Sequence, residues 1–484
     1  MSPAAASFRD PAGSCGLIGE RVVRVLQAGS AEAIAAFLQT PVARRFSGSG
    51  QLVWSRRLEA AEIAPLRQAP EGEPLLTQPV AAVYEHERIP FRSYPYEWPP
   101  EMLWEAGRLT LELAQAALVD GYGLKDATPY NVLYRGSEAV FIDVPSFEPR
   151  AAGDPVWQPY GQFVRTFLLP LLANRLWGMR LADIFTSHRD GLEPEEVYRY
   201  CSPWRRCLPP VLSLVSMPTW LRGKARAKGA ALYEPRRLPD EEKARFILES
   251  SLRQLQRSLE SLRPSVSGSS VWGEYMATHS YSAEAFAAKE QFVKSALEQF
   301  KPKRVLDAGA NTGHFSRLAA GMGADVVAID LEPACVAATW QMARAARLKI
   351  LPLVVDLARP TPAIGWRNTE CPSFLARARN ARFDGVLMLA LLHHLLVTER
   401  IPLADVIEVA AELTSSLLII EFVGTEDAMF RQLTRGRDHL HAGLNVAVFE
   451  SACAQHFELV RSQVLPGTQR RLYAWKRKGG GVER

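Results

Sequence analysis

Short apolar runs alternate with amphipathic stretches through the C-terminal half of the chain. Five of these runs have the length of buried β-strands, and each carries a polar residue at or near its end: RVLDA from 304, VVAID from 326, ILPLVVD from 350, FDGVLMLALLHHL from 383 and SLLIIEFV from 416. Strands that are covered on both faces read as continuous apolar runs, and the helices between them provide the cover. The pattern predicts an α/β fold with a doubly wound, mostly parallel sheet.

A change of pattern divides the chain. Residues 239–262 have a helical period with charges on one face, and the small polar segment RPSVSGSS follows them. A charged helix followed by a serine- and glycine-rich segment is typical of a domain boundary. We therefore predict an N-terminal α+β domain over residues 1–262, a linker over 263–270, an α/β domain over 271–478 and a tail over 479–484.

The composition is that of an ordinary globular protein, with 484 residues of which 48% are hydrophobic and 23% charged. This length predicts two or three domains. The six cysteines include no C-x-x-C pair and no histidine has metal-ligand spacing, so we expect neither disulfides nor a bound metal. The most apolar helical run, FVRTFLLPLLANRLWGM, contains Arg165 and Arg175 and is too short to span a bilayer, and we see no secretion signal. We expect a cytoplasmic protein without a transmembrane segment.

The net charge of +5 is small for a chain of this length, but it is unevenly distributed. Basic residues cluster at 204–207, at 222–228 and at the C-terminus. A nucleic-acid-binding face would normally add aromatic platforms or a known module, and the sequence has neither. We expect no nucleic-acid partner. The basic runs are interpreted as solvated faces, with the steering of an anionic or phosphorylated substrate as the alternative.

The segment RVLDAGANTGHFS at 304–316 carries the clearest chemistry in the chain. It contains a strand end, a turn with two glycines and the start of an apolar helical pattern, and glycines permit positive φ and close approach of a ligand. The N–H groups of the following helix would face an anionic group. A dinucleotide fingerprint requires G-x-G-x-x-G, and Asn311 and Gly313 break that register after Gly309, which disfavours NAD.

The order D-x-G-x-x-x-G instead resembles the first motif of class I (seven-strand, Rossmann-like) S-adenosylmethionine-dependent methyltransferases, a variant of which has asparagine at the middle position. Asp330 ends the next apolar run, where an acidic side chain can accept hydrogen bonds from ribose hydroxyls. The resemblance covers residues 266–478 and implies S-adenosyl-L-methionine as the cofactor. It implies that the cofactor-binding residues are Asp307, Gly309, Asn311, Gly313, Asp330, Leu331, Asp356, Leu357 and Leu389.

Methyl transfer from a sulfonium is an in-line displacement, so much of the enzyme's task is to align the reacting atoms. A hydroxyl acceptor also needs a base, and histidine has the unperturbed pKa closest to neutrality. His393 and His394 follow the fourth apolar run and are the candidate bases, with capping or packing of a helix as the alternative. Further candidates are His279, Asp427, His439 and His441. An aromatic segment before the domain's first helix forms either a lid over the cofactor or a packing surface: Trp272, Tyr275, His279 and Tyr281.

A second constellation lies in the N-terminal half, in the segment GYGLKDATPYNVLYRGSEAVFIDVPSFE at 121–148. Asp126, Asn131 and Asp143 resemble the catalytic segment of protein-kinase-like and aminoglycoside-phosphotransferase-like enzymes. The resemblance implies that the first aspartate orients an acceptor hydroxyl, and that the other two residues hold Mg²⁺ against nucleotide phosphates.

This constellation departs from the family pattern in two ways. Leu124 stands where the family usually has histidine, and no lysine precedes it to grip the phosphates. Arg56 or Arg57 would replace that lysine only in part, because a planar guanidinium is not equivalent to an ammonium group. We therefore expect a degenerate kinase-like domain that recognises a substrate or a partner, with a phosphotransferase that binds Mg-ATP weakly, or a chance resemblance, as the alternatives.

In overall layout the chain looks like a group of bacterial methyltransferases that includes the nodulation protein NoeA. This resemblance implies methylation of a hydroxyl on a small-molecule or glycan acceptor, and it does so by analogy, since a fold does not specify a substrate. Two alternatives stay open at this point. One is a bifunctional methyltransferase and phosphotransferase, and the other is a non-catalytic scaffold that retains the cofactor fold.

Overall fold

The computed structural model describes residues 10–76, 80–226, 237–264 and 281–479. The chain divides into two compact units. The first comprises residues 1–134, 138–265 and 364–371, and the second comprises residues 135–137, 266–363 and 372–484. Most of the predicted linker lies outside the described residues, as do Trp272, Tyr275 and His279.

Two kinds of strand assembly occur in the first unit. Its strands are β1 Gly13–Ile18, β2 Arg21–Leu26, β3 Ser55–Arg57, β4 Ala82–His86, β5 Tyr122–Leu124, β6 Val132–Arg135, β7 Glu138–Phe141 and β8 Phe147–Pro149. The first four form an antiparallel sheet in the order β1-β2-β4-β3. The last four form two small pairs, β5 with β8 and β6 with β7. The loops between these pairs carry the predicted phosphotransferase-like residues.

The remainder of the first unit is helical. Its helices are α1 Ala28–Leu38, α2 Pro41–Gly48, α3 Ala60–Gln68, α4 Glu73–Leu76, α5 Pro100–Val119, α6 Tyr160–Phe163, α7 Leu169–Trp177, α8 Leu181–Ser187, α9 Pro194–Tyr200, α10 Met217–Arg226 and α11 Glu241–Ser261. The two longest, α5 and α11, pack together, and the indole N–H of Trp104 donates to the Leu259 carbonyl at 3.0 Å. Leucines at helical spacing line the buried face of α11: Leu248, Leu252, Leu255 and Leu259.

No helix within the described residues is long and apolar enough to cross a membrane. The apolar run that begins at Phe163 includes α7, and most of its hydrophobic side chains are buried in the first unit.

The second unit is built on a seven-stranded sheet. Its strands are β9 Arg304–Ala308, β10 Asp325–Asp330, β11 Ile350–Val354, β12 Phe383–Met388, β13 Thr414–Phe422, β14 Phe457–Val464 and β15 Arg471–Arg477. They lie in the order β11-β10-β9-β12-β13-β15-β14. The first five are parallel; β15 pairs antiparallel with β13, and β14 pairs antiparallel with β15. The predicted α/β fold with a mostly parallel sheet is therefore confirmed.

Helices connect the strands of this sheet. They are α12 Ala283–Phe300, α13 His314–Gly321, α14 Pro333–Ala345, α15 Phe374–Ala381, α16 Leu403–Leu413, α17 Ala428–Thr434 and α18 Val446–His456. The central strands are buried on both faces: in β13, residues 417–422 are at most 2% exposed. This burial explains why these strands read as continuous apolar runs rather than as alternating ones.

The strand order reverses beside β9, whose neighbours are β10 on one side and β12 on the other. In open α/β sheets, ligands bind beyond the carboxyl ends of the strands at such a reversal. β9, β10 and β12 end at Ala308, Asp330 and Met388, so the loops that follow these residues converge at one edge. This edge of the sheet, which we call the carboxyl edge, holds the candidate site.

Candidate functional site

The loop between β9 and α13 has the backbone that its glycines predict. Gly309 and Gly313 have φ of +75° and +79°, and Asn311 between them has φ of +49°. A Cβ atom at Gly313 would lie 2.6 Å from Cγ2 of Thr339, and one at Gly309 would lie 3.3 Å from Cδ1 of Leu391. Both glycines are therefore required by conformation and by close approach of their neighbours.

Asp330 ends β10 directly beside this loop. Its Oδ2 accepts a hydrogen bond from the Asn311 N–H at 2.7 Å, and its Oδ1 accepts one from the Glu332 N–H at 3.0 Å. No lysine or arginine among the described residues forms an ion pair with it, and burial raises the pKa of its carboxyl group. Each oxygen retains lone pairs, so this carboxylate can accept further bonds from a pair of ligand hydroxyls.

Asp307 lies beneath the loop rather than at its surface. It is buried, and its Oδ2 accepts a short hydrogen bond of 2.6 Å from the Ser316 hydroxyl. Burial raises the pKa of this carboxyl group to about 6. The structure thus places Asp307 where it ties the first turn of α13 to the end of β9.

Asn311 uses its side-chain oxygen within the loop. The oxygen accepts from the Thr312 N–H at 2.7 Å and from the Cys335 thiol at 3.8 Å. The hydroxyl of Thr312 is buried and has no hydrogen-bond partner among the described residues. The sequence does not mark Thr312 as a candidate, because the lack of a hydrogen-bond partner depends on the surroundings of the hydroxyl and not on the residue type.

The other predicted cofactor residues lie at the same edge. The Val355 N–H donates to the Asp330 carbonyl at 2.9 Å, which brings the ends of β10 and β11 together. Unlike Asp330, Asp356 has a cation beside it, since Arg359 Nε lies 3.2 Å from its Oδ2. Of the three predicted leucines, Leu331 is exposed, Leu357 is half-buried and Leu389 is buried.

The two candidate bases differ in accessibility. His393 and His394 begin the helical turns after β12, with their ring centres 4.3 Å apart. His393 is only 2% exposed, its Nδ1 has no hydrogen-bond partner among the described residues, and burial lowers its pKa to about 3. His394 is exposed, and partial burial with the nearby charge of Arg470 lowers its pKa. Both imidazoles are therefore neutral at pH 7.

A buried carboxylate that the sequence did not single out as catalytic organises this edge. Glu421, in β13, accepts from the Lys289 ammonium at 2.7 Å, from the Tyr281 hydroxyl at 2.6 Å and from the Ala390 N–H at 3.0 Å. Although burial opposes ionisation, Lys289 holds the pKa of Glu421 below its usual value. Ala390 has φ of +53°, an uncommon conformation for alanine, and it leads directly into the histidine pair. Glu421 therefore holds in place the turn that carries His393 and His394.

Arg470 and Asp427 form a second buried pair nearby. Arg470 donates from Nε and Nη2 to the two oxygens of Asp427 at 2.8 and 3.0 Å, and its guanidinium lies 4.6 Å from the ring centre of Tyr281. Although burial opposes ionisation, these bonds hold the pKa of Asp427 below its usual value. Of the other two histidine candidates, His439 is exposed, and His441 contacts Phe430 edge-on and lines the groove beside the turns that follow His394.

Similarity to known proteins agrees with this geometry. A methyltransferase-domain family model matches residues 281–413. The chain is also 30% identical to the nodulation protein NoeA of Rhizobium meliloti (strain 1021) over 477 residues, which cover 98% of this chain and 96% of that protein. The chain belongs to the NoeA family. It is a class I S-adenosylmethionine-dependent methyltransferase.

Two solved structures are similar to part of this NoeA-family chain. One is the N-methyltransferase NodS from Bradyrhizobium japonicum WM9, with 13% identity, 41% of this chain and 98% of that chain covered, and a TM-score of 0.31. The other is magnesium protoporphyrin IX methyltransferase from Synechocystis PCC 6803 with bound SAH, with 17% identity, 44% and 94% covered, and a TM-score of 0.31.

The carboxyl edge suits the cofactor of this family, S-adenosylmethionine. Asp330 offers two carboxylate oxygens with free lone pairs, as a pair of ribose hydroxyls requires. The turn at Gly309 and Gly313 lets a ligand approach the backbone closely. The assignment of individual cofactor contacts to these residues stays a prediction.

One of the phosphotransferase-like residues of the first unit, Asp143, pairs with a buried arginine. Arg24, in β2, donates from Nη2 to Asp143 at 3.3 Å, from Nη1 to Asp10 at 3.1 Å and from Nε to Nε2 of His86 at 3.3 Å. His86 accepts through Nε2, and burial together with Arg24 lowers its pKa to about 3, so this histidine is neutral. All three nitrogens of the guanidinium therefore have partners.

The other members of this constellation lie around the same loop. The Ile142 N–H donates to the Asn131 carbonyl at 2.9 Å, and the Ser146 hydroxyl donates to the Asp126 carbonyl at 3.4 Å. Arg56, a predicted lysine substitute, instead pairs with Glu62 and Glu85. Within the described residues, no group of three or more acidic, histidine or cysteine side chains is arranged to hold a metal ion.

Proposed function

We propose that this methyltransferase transfers its methyl group to a hydroxyl oxygen of a small molecule or a glycan precursor, with His394 as the general base. One observation carries the proposal: the exposed imidazole of His394 follows β12 at the carboxyl edge of the sheet, the same edge at which Asp330 ends β10. An acceptor that enters from solvent at this edge meets a neutral imidazole beside the predicted cofactor site. His393 is the weaker candidate, because a group with a pKa of about 3 is a poor base near neutral pH.

In this mechanism the bound cofactor supplies an electrophilic methyl group on a positively charged sulfur. The residues of the chain bind and align the reactants, which is the main requirement of an in-line displacement. Asp330 and the glycine turn would hold the cofactor, and Nε2 or Nδ1 of His394 would accept the hydroxyl proton as the oxygen–methyl bond forms and the sulfur–methyl bond breaks. Glu421, which is paired with Lys289, accepts a hydrogen bond from the Ala390 N–H and so fixes the turn between β12 and the histidine pair.

Transfer of a radioactive methyl group from S-adenosylmethionine to an extract of the producing organism tests this proposal. We expect a labelled product that withstands mild base, as a methyl ether does and a methyl ester does not, and whose NMR spectrum shows an O-methyl group. His394→Gln is expected to lower kcat about 100- to 10,000-fold, the usual contribution of a general base, without weakening SAH binding. His393→Gln is the matched control. A product methylated on nitrogen or carboxylate would contradict the proposal.

We further propose that the N-terminal region, residues 1–262, is a kinase-like recognition domain that transfers no phosphate. The bonds of Arg24 to Asp10 and Asp143 support this proposal, because a divalent cation at Asp143 would lie against a fixed positive charge. Calorimetry of the full chain with ATP and Mg²⁺ tests it. We expect no binding at millimolar ATP. Mg²⁺-dependent binding that Asp143→Asn abolishes would contradict the proposal and favour a bifunctional enzyme.

A further inference from the structure

A groove of about 480 Å³ opens in the second unit beside the helical turns that carry the histidine pair. Its walls come from four places: the turns at His394–Thr398, the start of α16, the end of α17 with the loop after it, and the start of α18. Neither the cofactor loop nor Asp330 lines it. The groove is therefore separate from the predicted cofactor site.

The groove nevertheless opens at the carboxyl edge of the sheet. β12 and β13 are parallel, so the segments that leave their ends, which include His394–Thr398 and α17, start from the same edge. Leu396 and Val397 in the groove wall lie two and three residues beyond His394, which places them within about one helical turn of that imidazole. The groove therefore begins within about one helical turn of His394 along the chain.

Several apolar side chains in the wall of the groove are exposed to solvent. Leu440 is 64% exposed and Val448 is 47% exposed, and Leu396 and Leu444 continue the same surface. Exposed large apolar side chains that line a concave surface indicate a contact with another molecule. An apolar ring system or alkyl segment of a ligand would bury them.

Two exposed arginines, Arg400 and Arg437, line the same groove. Neither forms an ion pair with a described carboxylate, whereas the neighbouring Glu399 is already paired with Arg359 at 2.7 Å. Guanidinium groups bind phosphate, sulfate and carboxylate groups through paired N–H donors. The groove thus combines an apolar surface with positive charge that the described side chains do not neutralise.

We propose that this groove binds the methyl acceptor, and that the acceptor is an amphipathic anion. Its apolar part lies against Leu440 and Val448, its phosphate, sulfate or carboxylate group lies between Arg400 and Arg437, and its reacting hydroxyl extends to His394. Only the contact between the reacting hydroxyl and His394 rests on the proposed function. The apolar and anionic contacts are independent of the atom that receives the methyl group.

Two fluorescent probes test the proposal on the full chain without the enzymatic reaction. One is the anion 1-anilinonaphthalene-8-sulfonate, and the other is its uncharged analogue N-phenyl-1-naphthylamine. We expect saturable binding of the anion, and we expect the double variant Arg400→Gln/Arg437→Gln to weaken it about tenfold or more, because charge-assisted hydrogen bonds are lost. The uncharged probe should bind both proteins equally. Arg379→Gln, at an exposed arginine paired with Glu412 on the same unit, is the matched control.

The substituted arginines are exposed, and SAH calorimetry on each variant confirms that the second unit is folded. In the unsubstituted protein, 0.5 M NaCl should weaken binding of the anionic probe and leave binding of the uncharged probe unchanged. This measurement tests the role of charge without any variant. The proposal would be overturned if the double arginine variant weakened binding of both probes equally, or if neither probe bound. A concentration-dependent dimer that Leu440→Asp dissociates would also overturn it, because the groove would then be an interface between copies. Failure of the methyl-transfer assay would leave the probe result standing and would reject only the proposed function.

Discussion

Asp330 and Asp143 both follow an apolar run, yet the structure surrounds their carboxylates in opposite ways. The Asn311 and Glu332 N–H groups donate to the two oxygens of Asp330, and no lysine or arginine among the described residues pairs with it. Asp143 lies against the Arg24 guanidinium, which also binds Asp10 and His86. The first carboxylate keeps lone pairs for a ligand. The second already has an internal counter-charge in the first unit.

This difference shows what a strand-end acid indicates and what it does not. The position brings a carboxylate to an edge where ligands bind, but its availability depends on which cations the rest of the fold brings there. A paired carboxylate contributes to the structure, and an unpaired one retains capacity for binding. Four substitutions test this distinction.

Glu421 resembles Asp143 in this comparison, because an internal cation faces it. Glu421→Gln leaves the buried ammonium of Lys289 without its counter-charge, and we expect it to lower the free energy of unfolding by about 3 to 5 kcal/mol. Asp330→Asn breaks no ion pair but turns one backbone N–H acceptor into an NH₂ group, and it should cost less, about 1 to 2 kcal/mol. Urea unfolding followed by circular dichroism measures both values. Equal losses would show that the distinction between paired and unpaired acids does not hold.

Asp307 is a third kind of acid at this edge, buried with a hydroxyl partner and with no ion pair to a described lysine or arginine. Its folded-state pKa of about 6 lies above the usual value of 3.8, so the native protein binds this proton more tightly than the unfolded chain does. The resulting stabilisation is present below about pH 4 and is lost as the pH rises through 6, by up to about 3 kcal/mol. Asp307→Asn does not titrate. Between pH 4 and pH 7 the unsubstituted protein should therefore lose unfolding free energy relative to Asp307→Asn. A difference that stays constant over this range would contradict the prediction.

Asp330→Asn tests the open carboxylate through ligand binding. An amide presents one acceptor oxygen and places an NH₂ group against a backbone N–H, so we expect SAH affinity to fall about 10- to 100-fold. Isothermal titration calorimetry measures the change. Asp325→Asn, at the opposite end of β10, is the matched control, because its carboxylate pairs with Lys349 far from the glycine turn. Similar losses in both variants would refute the assignment of Asp330 to the cofactor.

Arg24→Gln converts the paired acid into an unpaired one. Asp10 and Asp143 would then lose the guanidinium between them, while the Lys125 ammonium stays 4.0 Å from Asp10, and we expect weak, millimolar binding of Mn²⁺, detected as loss of the free-ion signal in electron paramagnetic resonance. The unsubstituted protein and Arg24→Lys should show none. Mn²⁺ binding to the unsubstituted protein that Asp143→Asn removes would show that Arg24 does not block the site.

The regularly repeating parts of the second unit could be predicted from sequence because they depend on local patterns. Strands β9 to β13 follow from apolar runs, since burial on both faces leaves no polar alternation. The positive φ of Gly309 and Gly313 follows from their residue type. Glu421 could not be connected with Lys289 in this way, because 132 residues separate them and each alone reads as part of an ordinary strand or helix.

The sequence by itself determined the fold class of the second unit, the glycine turn and the strand-end positions of Asp307, Asp330 and Asp356. These properties depend on hydrophobic period and on the conformational freedom of single residues, which neighbours along the chain specify. Only the tertiary structure decided which carboxylates have counter-charges, and which of the two adjacent histidines is exposed. Those properties depend on electrostatic and packing contacts between residues far apart in the chain, and such contacts exist only once the chain has folded.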